Sequence, residues 1–564
     1  MAATARTATL SEKRPSTRRR PDAWGTGVLL VAAVLAVPVL VVASYVFRGS
    51  GEVWSHLVDT VLAEYVTNSV LLALGTGSGT LVLGVGAAWL TTMCQFPGRR
   101  MFSWLLLLPL SVPAYIIAYT YTGMLDYAGP VQGALRAAFG WSYGDYYFPE
   151  VRSLGGAVAM LTLVLYPYVY LLSRAAFLEQ SVCVLDVGRT LGLSPAGTFL
   201  HIALPLARPA IVTGVSLVLM ETLADYGTVQ YFGVSTFTTG IFRTWFGMGE
   251  PAAASQLAAL LLGLVFALLL LERWSRHQRR FHHTSNRYQM LPSYRLRGGR
   301  GMAAAAACLL PVLLGFVLPA AQLTAWSVDT LGSQLDGGFG RLVVNSLALA
   351  ALAALLAVSL AAYLAYGRRS RPTAAVTAAV RVAGMGYAVP GTVIAIGVVI
   401  PFSWLDNTLD AWARDTLGVS TGLLLSGTVV ALLFAYLVRF LAVSLQSVEA
   451  GLAKVSLHMD DTARSLGCPR GQVLRRVHLP LMRSTLLTAA LLVFVDVMKE
   501  LPATLILRPF NFNTLAVRAY ELASDERLAH AAPAALSITL AGLLPVILLS
   551  RSIARSRPGQ PSVA

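Results

Sequence analysis

DVGRTLGLSPAGTFLHIALPLARP, from Asp186 to Pro209, reappears as DDTARSLGCPRGQVLRRVHLPLMR, from Asp460 to Arg483. Both copies read Gly-x9-[Ile/Val]-x-Leu-Pro: Gly192 leads to Ile202-Ala203-Leu204-Pro205, and Gly467 leads to Val477-His478-Leu479-Pro480. Aligned on the glycine, they are offset by 275 residues, and the same offset pairs Glu221 with Asp496, Asp225 with Glu500, Gly227 with Pro502, Thr239 with Thr514 and Arg243 with Arg518. A period this long is too large for a solenoid and indicates a duplicated domain.

The surrounding sequence is apolar. Of 564 residues, 56% are hydrophobic and 12% charged, with a mean hydropathy of +0.65, which excludes a soluble protein of this size. Stretches long enough to cross about 30 Å of hydrocarbon lie near 26–47, 69–92, 102–123, 155–173, 209–231 and 254–272. They recur near 302–325, 342–366, 378–403, 421–443, 485–507 and 531–550. The expectation is an all-α polytopic membrane protein of about 12 transmembrane helices in two six-helix halves. An even number of spans per half makes the repeat parallel.

The net charge of +16 is distributed by side. With the N-terminus inside, 32 of the 43 Lys and Arg fall on the inner side and eight in five of the six outer loops. This asymmetry puts both termini and both repeated loops in the cytoplasm. No basic stripe interleaved with aromatics is present, so nucleic acid is excluded as a partner. The domains expected are a disordered basic tail at 1–24, permease domains at 25–272 and 302–552, a cytoplasmic linker at 273–301 and a C-terminal tail at 553–564. The adjacent His282 and His283 read as a solvated pair, and no metal site is assigned. Four scattered cysteines imply no disulfide framework.

Each repeated loop has two helical stretches flanking its glycine, the second ending at a proline that opens the next span. Ser194-Pro195 adds an N-cap and a first-turn proline in the first copy; Cys468-Pro469 keeps only the proline. The expected shape is a short helix parallel to the membrane, held between two turns. Preceded by Asp186-Val187-Gly188 and Asp461-Thr462-Ala463, the motif resembles the EAA loop of binding-protein-dependent ABC importer permeases, with Asp in place of Glu. Two six-span halves fused in one chain, and the segment ELPATLILRPFNFNTLAVR from Glu500 to Arg518, are most similar to ferric-iron transporter permeases.

The resemblance implies the type I ABC importer permease fold and a location in the bacterial inner or plasma membrane. It implies coupling helices docked on a cytoplasmic ABC ATPase through Asp186, Arg189, Gly192, Leu204 and Pro205 in one half. Asp461, Arg464, Gly467, Leu479 and Pro480 are their counterparts in the other. A periplasmic or extracellular binding protein would deliver the cargo, Fe(III), or alternatively thiamine, polyamine, phosphonate or sulfate. Fusion of the halves implies two ATPase copies. The chain has no phosphate-binding loop of its own, so it is not expected to be an enzyme or to bind a cofactor; ATP and Mg would enter through the partner. A secondary transporter with six plus six helices is the rival, and it gives no reason for the repeated loop.

Intramembrane charges form a separate line of reasoning. Glu221 and Asp225 are spaced i, i+4 and would share a helix face, as would Asp496 and Glu500, with Lys499 beside them. Ionisable groups at this depth cost at least ~2.5 kcal/mol each and face a cavity or a partner. The four carboxylates would line a cation path, or would pair with Lys499 and neighbouring helices. The aromatic outer loop from Trp141 to Glu150 is a docking or membrane-interface element.

Overall fold

In the computed structural model, residues 23–47, 51–142, 144–180, 190, 192–277, 294–334 and 337–555 are described. Among them, ten helices are long and apolar enough to cross a membrane, and two bent pairs raise the number to twelve. In the first half these are α1 (Ala23–Phe47), α2 (Leu62–Met93), α3 (Ala114–Leu125), α4 (Leu154–Leu178), α5 (Pro195–Ala224) and α6 (Pro251–Trp274). In the second they are α7 (Gly299–Thr330), α8 (Gly338–Ser370), α9 (Gly391–Leu417), α10 (Val429–Ala453), α11 (Arg483–Lys499) and α12 (Leu528–Ile547). Side chains such as Val82, Leu270 and Leu355 are largely exposed on this bundle, as lipid-facing positions must be. The tails and most of the linker lie outside the described residues, as do His282 and His283.

Small residues set the closest helix contacts. A Cβ at Gly75 or Gly79 would fall 2.9 Å from Val158 or 2.8 Å from Thr162, so α2 lies against α4 along a glycine stripe. The second half fills the same seam with alanine: Ala353, Ala357 and Ala361 of α8 are buried, and Ser444 of α10 donates to the Ala357 carbonyl at 3.1 Å.

The first helix of each half crosses to the other. α1 packs on α9, where a Cβ on Gly397 would meet the Pro38 carbonyl at 2.3 Å, and Trp24 stacks on Tyr363 of α8 at 4.8 Å. Reciprocally, α7 receives the Tyr121 hydroxyl of α3 on the Leu314 carbonyl at 2.7 Å. The core is therefore continuous across the duplication.

Each half also contains two interruptions that the apolar runs concealed. The third span breaks at Pro113 or Pro390, each extended and each preceded by a 3₁₀ turn, Leu108–Ser111 or Gly386–Ala388. The fifth span ends early. α5 stops at Ala224 and α11 at Lys499, after which the short helices Gly227–Tyr231 and Pro502–Leu507 begin. A helix then starts from Thr236 or Thr514, and Asn68-Ser69 or Asn345-Ser346 hold that start. Asn68 donates to the Ser235 carbonyl at 2.9 Å and Ser69 accepts from Phe237 N at 3.3 Å; Asn345 donates to the Asn513 carbonyl at 3.3 Å and Ser346 accepts from Leu515 N at 2.8 Å. Thr236, not Thr239, is thus the counterpart of Thr514. The second half carries three extra residues here, so the alignments of Thr239 and Arg243 at offset 275 are one helical turn out of register.

Candidate functional site

Each repeated loop joins the fourth and fifth spans of its half. In the second copy, helix Leu457–Ser465 ends at Gly467 with φ +81°, where Gly467 N bonds the Arg464 carbonyl and Cys468 N bonds the Ala463 carbonyl. That pair of bonds closes a helix only when a left-handed residue follows it, which is why glycine stands there. Gly192 has φ +73° at the equivalent place. Past it, Ser194 accepts from Gly197 N at 3.1 Å as the expected N-cap, and Pro195 opens the helix.

Both copies then make a π turn, Phe199–Ala203 and Leu474–His478, closed by Leu204 N on the Phe199 carbonyl and Leu479 N on the Leu474 carbonyl. The wider turn falls immediately before Pro205 or Pro480, which has no N–H to donate to an α turn. The copies differ after it. In the second, Arg470–Leu481 meets α11 at 81°, as a helix lying across the bundle should. In the first, Pro195–Ala224 is one continuous helix, which corrects the expectation of a separate short helix after the glycine in that copy.

Asp461 and Arg464 are exposed, as is Leu466 beside Gly467, while Leu479 is half-buried and Pro480 exposed. Asp186 and Arg189 lie outside the described residues. Sequence reasoning missed what anchors the second loop. Arg369, at the end of α8, binds Asp460 at 2.9 Å, the Leu452 carbonyl in the last turn of α10, and the carbonyls of Val455 and Ser456 in the turn that follows at 2.8 and 3.2 Å. His478 Nε2 lies 2.8 Å from Asp460 Oδ1. Burial pushes this imidazole below the ordinary histidine range, against the pull of Asp460.

Deeper in the bundle, one cavity of about 150 Å³ is lined by Glu221, Asp225, Asp496, Lys499 and Glu500 together. All five path residues expected from sequence thus meet between the halves, but not on two shared helix faces. Asp225 and Glu500 stand just past their helices in extended backbone. Asp225 accepts from Thr228 N, Thr228 Oγ1 and Val229 N at 2.9–3.1 Å; Glu500 accepts from Ala503 N at 2.9 Å and Thr504 N at 3.0 Å. Each carboxylate therefore satisfies the orphan N–H groups of the short helix that follows, which is what an intramembrane break demands.

The residue that organises the cavity is Arg439 of α10, 8% exposed. Its guanidinium is 3.3 Å from Glu500 of its own half and 3.9 Å from Glu221 of the other. A Cβ on Gly391 would fall 2.3 Å from its Nη1, so glycine makes room for the pair. Lys499 donates to the Leu110 carbonyl in place of the carboxylate pairing considered from sequence. Tyr115, Tyr168 and Tyr387 complete the polar lining. Nothing local to Arg439 in the sequence named its partners. The outer aromatic loop is internally packed: Trp141 stacks on Phe139 at 4.6 Å and on Tyr146 at 5.2 Å.

Paired six-helix halves, each with a positive-φ glycine between its fourth and fifth spans and a broken fifth span at the shared cavity, define a duplicated membrane transport permease. The chain belongs to the family of binding-protein-dependent transport system inner membrane components, matched at residues 80–280 and again at 357–558. It is 26% identical over 547 residues to the Fe(3+)-transport system permease protein FbpB 2 of Haemophilus influenzae, covering 94% of this chain and 99% of that one. A putative ferric permease, FbpB 1, of the same organism is 23% identical over 85% of this chain and 76% of its own. A probable molybdenum ABC transporter permease of Haloferax volcanii is 25% identical over 46% of this chain and 96% of its own. The protein is accordingly a fused two-half ABC-type permease. Its family implies two kinds of partner, an ABC ATPase and a substrate-binding protein.

Proposed function

We propose that this permease carries Fe(III) into the cytoplasm of a bacterial cell, received from a periplasmic or extracellular binding protein and driven by two copies of a separate ATPase. The repeated loops and both termini face the cytoplasm, and ATP and Mg reach the assembly only through the ATPase. Gly192 and Gly467 shape the docking elements. Asp461, Arg464 and the 79% exposed Leu466 form the contact surface of the second loop, Leu204-Pro205 and Leu479-Pro480 pass its movement to the fifth spans, and Asp186 and Arg189 complete the first. Chain-long similarity to ferric permeases supports the cargo.

The observation that carries the reading is the convergence of Glu221, Asp225, Asp496 and Glu500, from equivalent points of both halves, on one cavity. Four carboxylates against Arg439 and Lys499 leave an excess of formal negative charge, which suits a cation. A second reading is an oxyanion cargo, favoured by the presence of those same two cations in the cavity and by the molybdenum relative. The test is the complete transporter in proteoliposomes supplied with Fe(III), molybdate, phosphonate, sulfate, thiamine or polyamine. Glu221→Gln with Asp496→Asn should cut Fe(III) uptake and leave ATPase stimulation by the loaded binding protein intact. Uptake that survives ATP removal and collapses with the proton gradient would refute the ABC mechanism.

A further inference from the structure

A line of side-chain oxygens leads away from the cavity along α3. α3 starts against the cavity, whose lining includes Ala114 and Tyr115, and ends at Leu125, followed by Asp126. The eleven steps from Tyr115 to Asp126 span about 16 Å of helix axis. Tyr115, Tyr119 and Thr122 succeed one another at i, i+4 and i+7, on a single face. Tyr115 and Glu500 line the same cavity, Tyr119 is near both Tyr115 and Tyr231, and Tyr231 adjoins Thr122. At the far end the Arg152 guanidinium sits 5.1 Å over the Tyr231 ring and bridges Glu526 at 2.8 Å and Asp126 at 4.0 Å. Carboxylates thus stand at both ends of the line, one set in each charged cluster.

The hydroxyls of Tyr115 and Tyr119 are 6% and 1% exposed as residues, and neither has a hydrogen-bond partner among the described residues. Buried hydroxyls are costly to leave unpaired, and paired tyrosines stand close by. Tyr121, on another face of α3, donates to the Leu314 carbonyl, and Tyr436 is 2.6 Å from Thr504 Oγ1. Buried unpaired hydroxyls occur elsewhere among the described residues as well, at Tyr166 and Tyr366 for example, but those of Tyr115 and Tyr119 share the helix face that runs between the two carboxylate clusters.

We propose that Tyr115, Tyr119 and Tyr231 line the entry route of a hard trivalent cation, passing it from Asp126 and Glu526 to Glu500 in the cavity. The phenolic oxygens supply lone pairs to an ion that prefers oxygen ligands, in a stretch where water is scarce. Each oxygen is left without a protein partner because the ion in transit is its partner. Arg152 holds the entrance carboxylates while no ion is present. The inference rests on the Fe(III) reading above and assigns residues to it.

The test uses the complete transporter in proteoliposomes with binding protein loaded with radiolabelled Fe(III). Variants are the double Tyr115→Phe with Tyr119→Phe, and Tyr121→Phe as the control. Phenylalanine keeps the ring and removes only the oxygen. The double variant should lower iron carried per ATP hydrolysed by about ten- to a hundredfold, the loss expected when a metal site is stripped of supporting groups. Its melting temperature should stay equal to or above that of the natural protein, since only unpaired hydroxyls are removed. Tyr121→Phe should lower the melting temperature and leave the iron-to-ATP ratio unchanged. A double variant with the natural ratio overturns the route while the Fe(III) reading stands. A natural transporter that hydrolyses ATP with loaded binding protein yet moves no iron overturns both.

Discussion

Replacing Arg439 by Met should destabilise the permease by about 3 kcal/mol, the lower end of the range for removing one partner of a buried ion pair. The size follows from what each carboxylate keeps. The Glu500 side chain is 1% exposed, so its charge cannot be rehydrated in place. It retains three donors, Ala503 N, Thr504 N and Thr504 Oγ1, which offset part of the loss. Glu221, at 3.9 Å and 24% side-chain exposure, loses less. Met fills the volume of the aliphatic stem, so a void contributes little. Adding Glu500→Gln removes the stranded charge, and the double variant should recover about 2 kcal/mol, within the range of couplings between contacting residues. Thermal unfolding in detergent measures both. At about 1 °C per kcal/mol for a chain of this size, the single variant melts about 3 °C lower and the double about 1 °C lower. If Arg439→Met melts with the natural protein, or the two substitutions simply add, Arg439 does not hold Glu500 and the account of the cavity is wrong.

Two further outcomes concern the second loop. Gly467→Ala forces a Cβ onto φ +81°, costing about 1–2 kcal/mol locally, and should lower binding-protein-stimulated ATPase activity while basal hydrolysis by the ATPase is retained. His478 gives the loop a pH dependence. Its imidazole is held below the ordinary range, so the unfolded loop binds a proton more readily than the folded one. The stability it contributes is complete above about pH 6.5 and is lost as pH falls. Amide exchange in 457–481 should therefore quicken below that pH in the natural protein and not in His478→Gln; equal profiles would exclude the imidazole as the cause.

What sequence could and could not reveal divides along a physical line. Span number, parallel duplication and the loop were legible because each is a local property: apolar length, an even count, a glycine and a proline at fixed spacing. The break at Asp225 and Glu500 was not. The apolar run continues through 209–231, and an acidic residue four positions after another reads as a helix face. It becomes a terminator only because its oxygens cap the next short helix, a bond between segments that periodicity does not record. Thr239 was aligned with Thr514 for a related reason: three extra residues change identity by one turn without changing the helix pattern. Arg439 and Arg369 act entirely through partners at least 61 residues away, so no window of sequence contained their roles.

The differences between the halves bear on how the loops can work. In the first, Pro195–Ala224 is one helix, so a displacement at the loop reaches Glu221 along a continuous rod. In the second, the 81° bend at Met482 separates the loop from α11, and the loop is clamped instead to α8 through Arg369 and Asp460. A push there is shared between α8 and α11 before it reaches Asp496. Equal motions at the two loops therefore arrive at the cavity unequally, and the residue between the two arrivals is Arg439, bonded to Glu500 of one half and facing Glu221 of the other. Sliding α5 against α10 changes the 3.9 Å contact before the 3.3 Å one, because the longer contact alone joins the two halves. On the proposed coupling, release of Glu221 from Arg439 is the expected first electrostatic consequence of moving the loops, which a charge-sensitive probe at Glu221 would register before any change at Glu500.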